Sequence, residues 1–119
     1  MRQGRRLVRV FLLLVAVWAL GCSGGSKPAR QELDLNIRAG ALPADKQLIR
    51  AGQGDDIVLR WSADEPITIH LHGYDIEKDL KPGAVTTMWF VARATGRFPI
   101  TRHAHGEETP LAYLEVIPR

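Results

Sequence analysis

Residues 31–119 are predicted to form one all-β domain, a sandwich or barrel of about seven short strands. Three observations carry this expectation. Apolar residues alternate with polar ones at period two through most of the segment, turn-forming clusters recur between the alternating runs, and no window beyond residue 21 sustains a helical period. The physical basis is the pleat, which sends successive side chains to opposite faces and leaves residues i, i+2 and i+4 sharing one face.

The strands follow in order. Leu33, Leu35 and Ile37 alternate with polar neighbours. Ile57, Leu59 and Trp61 do so against Val58 and Arg60, and Ile67, Ile69 and Leu71 against Thr68, His70 and His72. Val85 to Ala92 is apolar on both faces from Met88 onward and reads as a central strand. Phe98 and Ile100 mark a short strand, and Ala112 to Ile117 the last. Between these lie Leu42-Pro43-Ala44-Asp45, Gly52-Gln53-Gly54-Asp55, Asp64-Glu65-Pro66, Lys81-Pro82-Gly83 and Thr95-Gly96, whose Gly, Pro and Asp residues favour turns. Trp61 and Trp89 are expected in the core. A segment of about 90 residues buries one such core and little more.

The N-terminal stretch reads as an address. Arg2, Arg5, Arg6 and Arg9 precede an apolar run from Val10 to Leu20, which falls in the range of about 7–15 residues for a signal-peptide core and short of the roughly 20 that span a bilayer. Ala19-Leu20-Gly21-Cys22 resembles the lipobox of bacterial lipoproteins, with Ala where Leu is usual. That resemblance implies cleavage of residues 1–21, lipidation of Cys22 and a place in the cell envelope facing the periplasm. Ser23 in place of a retaining Asp favours the outer membrane if the cell is Gram-negative. A secreted protein with a free Cys22, or an uncleaved anchor, is the alternative. Cys22 is the single cysteine, so no intramolecular disulfide can staple the domain. Ser23 to Arg30, rich in Gly and Ser, completes a tether over residues 22–30.

Charge excludes one class of partner. Without the arginines of the leader, twelve Lys and Arg stand against thirteen Asp and Glu. No basic run remains and nucleic acid is excluded as a partner.

All four histidines fall into two pairs, His70-Leu71-His72 and His103-Ala104-His105. On a strand such a pair points to one face about 6.6 Å apart, and two imidazoles can tilt onto one ion with metal–nitrogen bonds of about 2.0 Å. Imidazole suits copper and zinc, with the Irving–Williams order favouring Cu(II). Because Ile67, Ile69 and Leu71 claim the core, His70 and His72 should face outward or end the strand. Surface pairs of histidine also occur without metal, and a shared site requires the fold to bring both pairs together. Asp75, Glu77, Glu107 and Glu108 lie near the pairs, as orienting carboxylates or as solvated charge.

The segment Ile69-His70-Leu71-His72-Gly73-Tyr74-Asp75 resembles the His-Leu-His-Gly segment of multicopper oxidases and the histidine strand of single-domain cupredoxins. Lys81-Pro82-Gly83, Thr87 to Ala92, Thr95-Gly96-Arg97-Phe98-Pro99-Ile100 and Leu111 to Pro118 resemble successive cupredoxin segments. The resemblance implies a Greek-key β-sandwich or barrel of the cupredoxin type, with copper ligands on the histidine strand and on a second ligand loop after Phe98. It also implies that His72 and His105 are the closest match to the family's histidine pair. Arg102, or His103 if the loop shifts by one, stands where blue-copper cupredoxins place a cysteine ligand, and no methionine follows, so a His₂Cys centre is excluded.

Beside His103, Arg102 disfavours cation binding, so it should point away, pair with an acid such as Asp75, or mark a site that is not metallic. No constellation of catalytic residues can be assembled, and an enzyme is not expected. The expected function is a lipid-anchored envelope protein binding copper, or zinc, at His70, His72, His103 and His105 for storage, delivery or tolerance, with an envelope protein as a further partner. A metal-free cupredoxin scaffold or interaction module is the other reading.

Overall fold

The computed structural model describes residues 25–119; the leader and Cys22 lie outside them. Eight strands run in the order β1 (Arg30–Ile37), β2 (Leu48–Gly52), β3 (Asp56–Ala63), β4 (Ile67–Leu71), β5 (Ile76–Leu80), β6 (Thr86–Val91), β7 (Gly96–Ala104) and β8 (Glu107–Ile117), with one 3-10 turn at Ala44–Lys46. They form a three-stranded sheet ordered β1-β3-β6 and a five-stranded sheet ordered β2-β8-β7-β4-β5. β1 lies parallel to β3 and β2 parallel to β8, whereas the remaining pairs are antiparallel. The chain leaves β5, crosses to the other sheet as β6, and returns as β7 beside β4, a Greek-key path.

The period-two pattern accounts for the core. Leu35 and Ile37 of β1, Ile57, Leu59 and Trp61 of β3, Ile69 and Leu71 of β4, Met88 of β6, Ile100 of β7 and Leu114 of β8 are all buried in one cluster between the sheets. Each such side chain contributes about 1.5–3 kcal/mol relative to exposure. Trp61 is fully buried, and its indole nitrogen has no hydrogen-bond partner.

Eight strands agree with the expected count of about seven; six of them are located in the sequence, and β2 and β5 are the additions. Both lie at the edges of the five-stranded sheet, and both are short and charged, with Arg50 in one and Glu77, Lys78 and Asp79 in the other, as edge strands commonly are. Two strand expectations are corrected. β6 is an edge strand rather than a central one. Its Met88 and Phe90 face the core, while Trp89 is 61% exposed and donates its indole N–H to Asp56. Trp89 is therefore not a core residue. Finally, β7 and β8 extend much further than expected and meet in a two-residue turn, His105-Gly106, both with positive φ. This is the signature of a tight type I′ hairpin, and it replaces the expected second ligand loop.

Candidate metal centre

Strand register assembles the site. β4 sends Ile67, Ile69 and Leu71 inward, so Thr68 and His70 face out. On β7, Thr101 lies opposite His70 and His103 opposite Thr68. On β8, Glu108 lies opposite His103. His72 continues the outward parity just past the end of β4, where its backbone N–H donates to Pro99 O at 3.0 Å. Three imidazoles and one carboxylate thus meet on the outer face of the five-stranded sheet.

Two local features hold this arrangement. After His72 the chain turns at once through Gly73, at φ +80°, and the Phe98 ring lies against that glycine where a Cβ would overlap it. Only glycine meets both conditions. β8 also carries one extra residue, Leu111, between Pro110 and Ala112, which pair with Thr101 and Ile100. This bulge lets Glu108 face out at one end of β8 while Leu114 faces the core at the other.

The ligand atoms of His70, His72 and Glu108 all lie within 4.8 Å of one another. The His70 and His72 rings stack with centroids 4.0 Å apart and planes tilted by 37°, and His103 lies 6.4 Å from His70 between centroids. His72 Nε2 is 3.1 Å from Glu108 Oε1 and 2.9 Å from Thr101 Oγ1, and the Thr101 hydroxyl donates to Glu108 at 2.8 Å. An ionised carboxylate only accepts, so His72 carries its proton on Nε2 in this network. A cation taking that nitrogen displaces the proton. His103 Nε2 is buried without a hydrogen-bond partner, 3.5 Å from Glu108 Oε1.

The local field is acidic. Asp75 and Glu77 each place an oxygen 3.7 Å from a His70 nitrogen. The Glu108 carboxyl is held below the usual range, first by the Thr101 hydroxyl, which outweighs the cost of desolvation, with the His72 N–H adding a smaller contribution.

The remaining candidates are placed elsewhere. His105 sits at the hairpin tip, 80% exposed, with Nε2 3.0 Å from Glu65. It does not join the converging group, so the pairing of His72 with His105 is corrected: the tight turn carries His105 away from β4. Arg102 alternates to the inner side of β7, where its guanidinium packs over Gly40 and reaches Glu65 at 3.9 Å. It points away from His70, His72 and His103 but shares Glu65 with His105, and its acid is Glu65 rather than Asp75. The lipidation candidate, Cys22, lies outside the described residues. Thr101 was not anticipated, and Glu108 was anticipated only as an orienting or surface carboxylate.

No protein-family model matches the chain, and no curated protein matches it. Solved structures do. A heme-copper terminal oxidase dimer superposes with a TM-score of 0.62 at 17% identity, over 80% of this chain and 67% of that one. A copper binding protein in its apo form superposes with a TM-score of 0.61 at 14% identity, over 77% of this chain and 92% of that one. The blue copper oxidase from Nitrosomonas europaea gives 0.57 at 21% identity, over 76% of this chain but 39% of its own, so the chain spans about two-fifths of that oxidase. The domain has the cupredoxin fold.

Within this cupredoxin frame the donor set departs from the thiolate-containing centre. The described residues contain no cysteine, and their one methionine, Met88, is fully buried in the other sheet. What remains is imidazole and carboxylate on an open face. Nitrogen and oxygen donors of this kind fit Cu(II), and zinc by charge and ligand type. The unpartnered His103 nitrogen beside Glu108 is a further donor within reach. The residues fit a divalent metal, and not a blue-copper centre.

Proposed function

We propose that this cupredoxin domain binds copper, as Cu(II), through His70, His72 and Glu108, with His103 as an adjacent donor. The supporting observation is the convergence of three ligand atoms within 4.8 Å on one sheet face. The residues divide the work: β4 and β8 fix two imidazoles and a carboxylate, Thr101 orients Glu108, and Asp75 and Glu77 supply negative potential. In the same reading Cys22 is lipidated, residues 22–30 tether the domain in the cell envelope facing the periplasm, and the role is storage, delivery or tolerance rather than catalysis. An envelope protein is the partner this reading adds.

The test is calorimetric titration of Cu(II), with Zn(II) as control, into residues 25–119, which contain every core residue described above. A weak competing ligand suppresses adventitious imidazole binding. One tight equivalent is expected, weakened by at least about 100-fold in the His72→Ala, Glu108→Ala double variant and unchanged in His105→Ala.

A metal-free scaffold has one observation in its favour: His72, Thr101 and Glu108 already satisfy one another by hydrogen bonds. Thermal unfolding separates the two. Copper at 100 times its Kd stabilises a binding domain by about 2.7 kcal/mol, whereas it leaves a scaffold's transition where it was.

A further inference from the structure

We infer that the site discriminates between oxidation states, holding copper as Cu(II) and releasing it as Cu(I). The inference rests on the proposed copper site and concerns its regulation. Four features of the protein carry it.

The donors are hard or borderline. Thiolate and thioether ligands, which select Cu(I), are missing from the face, since the described residues lack cysteine and Met88 is sealed in the core. Second, the two imidazoles are stacked, with centroids 4.0 Å apart and a tilt of only 37°. They rise from one short segment on one side of the sheet, so they offer nitrogens side by side. A two-coordinate Cu(I) ion needs its nitrogens on opposite sides, whereas tetragonal Cu(II) accepts neighbouring ones. Third, the carboxylates favour the higher charge. Glu108 lies in the donor set and Asp75 and Glu77 lie 3.7 Å from His70, and the Coulomb gain doubles for a dication. Fourth, His72 and Glu108 are partly open to solvent, so no lid has to move for an ion to leave.

The electron comes from outside the protein. An enediol monoanion such as ascorbate would supply one electron to each Cu(II), giving Cu(I), and would become its one-electron-oxidised radical with release of one proton. As the bonds to His70, His72 and Glu108 are lost, that proton would go to His72 Nε2 and restore its hydrogen bond to Glu108, and the monocation would pass to a sulfur acceptor.

The experiment uses the full-length protein in detergent. Cu(II) affinity is read by competition with nitrilotriacetate, and Cu(I) affinity under ascorbate by competition with bicinchoninate. The expected result is Cu(II) held at least about 100-fold more tightly than Cu(I), with the gap narrowed by about 10-fold or more in Glu108→Met, which exchanges a hard donor for a soft one on an exposed position. Equal or tighter binding of Cu(I) by the unaltered protein would overturn the inference while leaving the copper site standing. Failure to bind Cu(II) at all would overturn both.

Discussion

At the scale of single residues, Asp55 is the fully buried carboxylate among the described residues and lies away from the metal face. It is fully buried and accepts hydrogen bonds from the backbone N–H groups of Ala29 and Gly52, both at 2.7 Å, from the Gln31 amide at 2.9 Å, and from the Arg119 guanidinium. Burial opposes its ionisation, but these donors outweigh burial and hold its carboxyl well below the usual range. The folded-state pKa is depressed, so its contribution is present above the unfolded value of about 3.9 and is lost as pH falls toward the folded one. Asp55→Ala is therefore expected to cost about 3 kcal/mol at pH 7. Denaturant unfolding should show the difference from wild type shrinking below about pH 4; a difference independent of pH would refute this account. Nothing in Gly52-Gln53-Gly54-Asp55 beyond a turn was legible in the sequence. The donors that make Asp55 special come from residues 24, 26 and 64 positions away.

At the scale of elements, the β7–β8 hairpin decides which histidines can cooperate. His105-Gly106 could have been read as a two-residue turn, because His tolerates the left-handed region better than most residues. Reflection about that turn pairs Ala104 with Glu107 and His103 with Glu108, as observed. The family resemblance points instead to a ligand loop and so groups His105 with His72. The outward parity of His70 was legible because three apolar residues occupy the opposite face of β4. The role of Thr101 was not, since it depends on the pairing of β4 with β7, residues 29 apart for the hydrogen bond it shares with His72. The same reasoning predicts the effect of Gly73→Ala. A methyl group there meets the Phe98 ring at a positive φ, and the variant is expected to lose about 2 kcal/mol or more. Cu(II) affinity should fall with it as the His72 end of β4 shifts, and unchanged melting and affinity together would show that the turn does not position His72.

At the scale of the whole molecule, the two sheets share a core but expose different chemistry. The five-stranded sheet carries the imidazoles. The three-stranded sheet carries an ion-pair lattice of Arg30 and Arg60 with Glu32, Asp34 and Asp56, beside the exposed indole of Trp89. The all-β architecture was legible because alternation is a local property. The assignment of β6 to an edge was not, because an apolar run looks the same in the middle of a sheet and at its margin. Acrylamide quenching of a protein spanning residues 25–119 tests this placement: one indole should quench readily and one scarcely, with the accessible component lost in Trp89→Phe.

The position of Asp55 bears on how the molecule carries load. Both ends of the domain, at Ala29 and Arg119, converge on that one carboxylate at the start of β3. A tug on the chain ahead of β1 is resisted there first, by a clasp of charged hydrogen bonds, and next by the parallel β1–β3 ladder loaded in shear. The strands bearing the histidines lie in the opposite sheet, off that path. Arg119 follows β8, the strand that also carries Glu108, so the clasp joins the chain ahead of β1 to one strand of the metal face while the histidine strands stand apart from it.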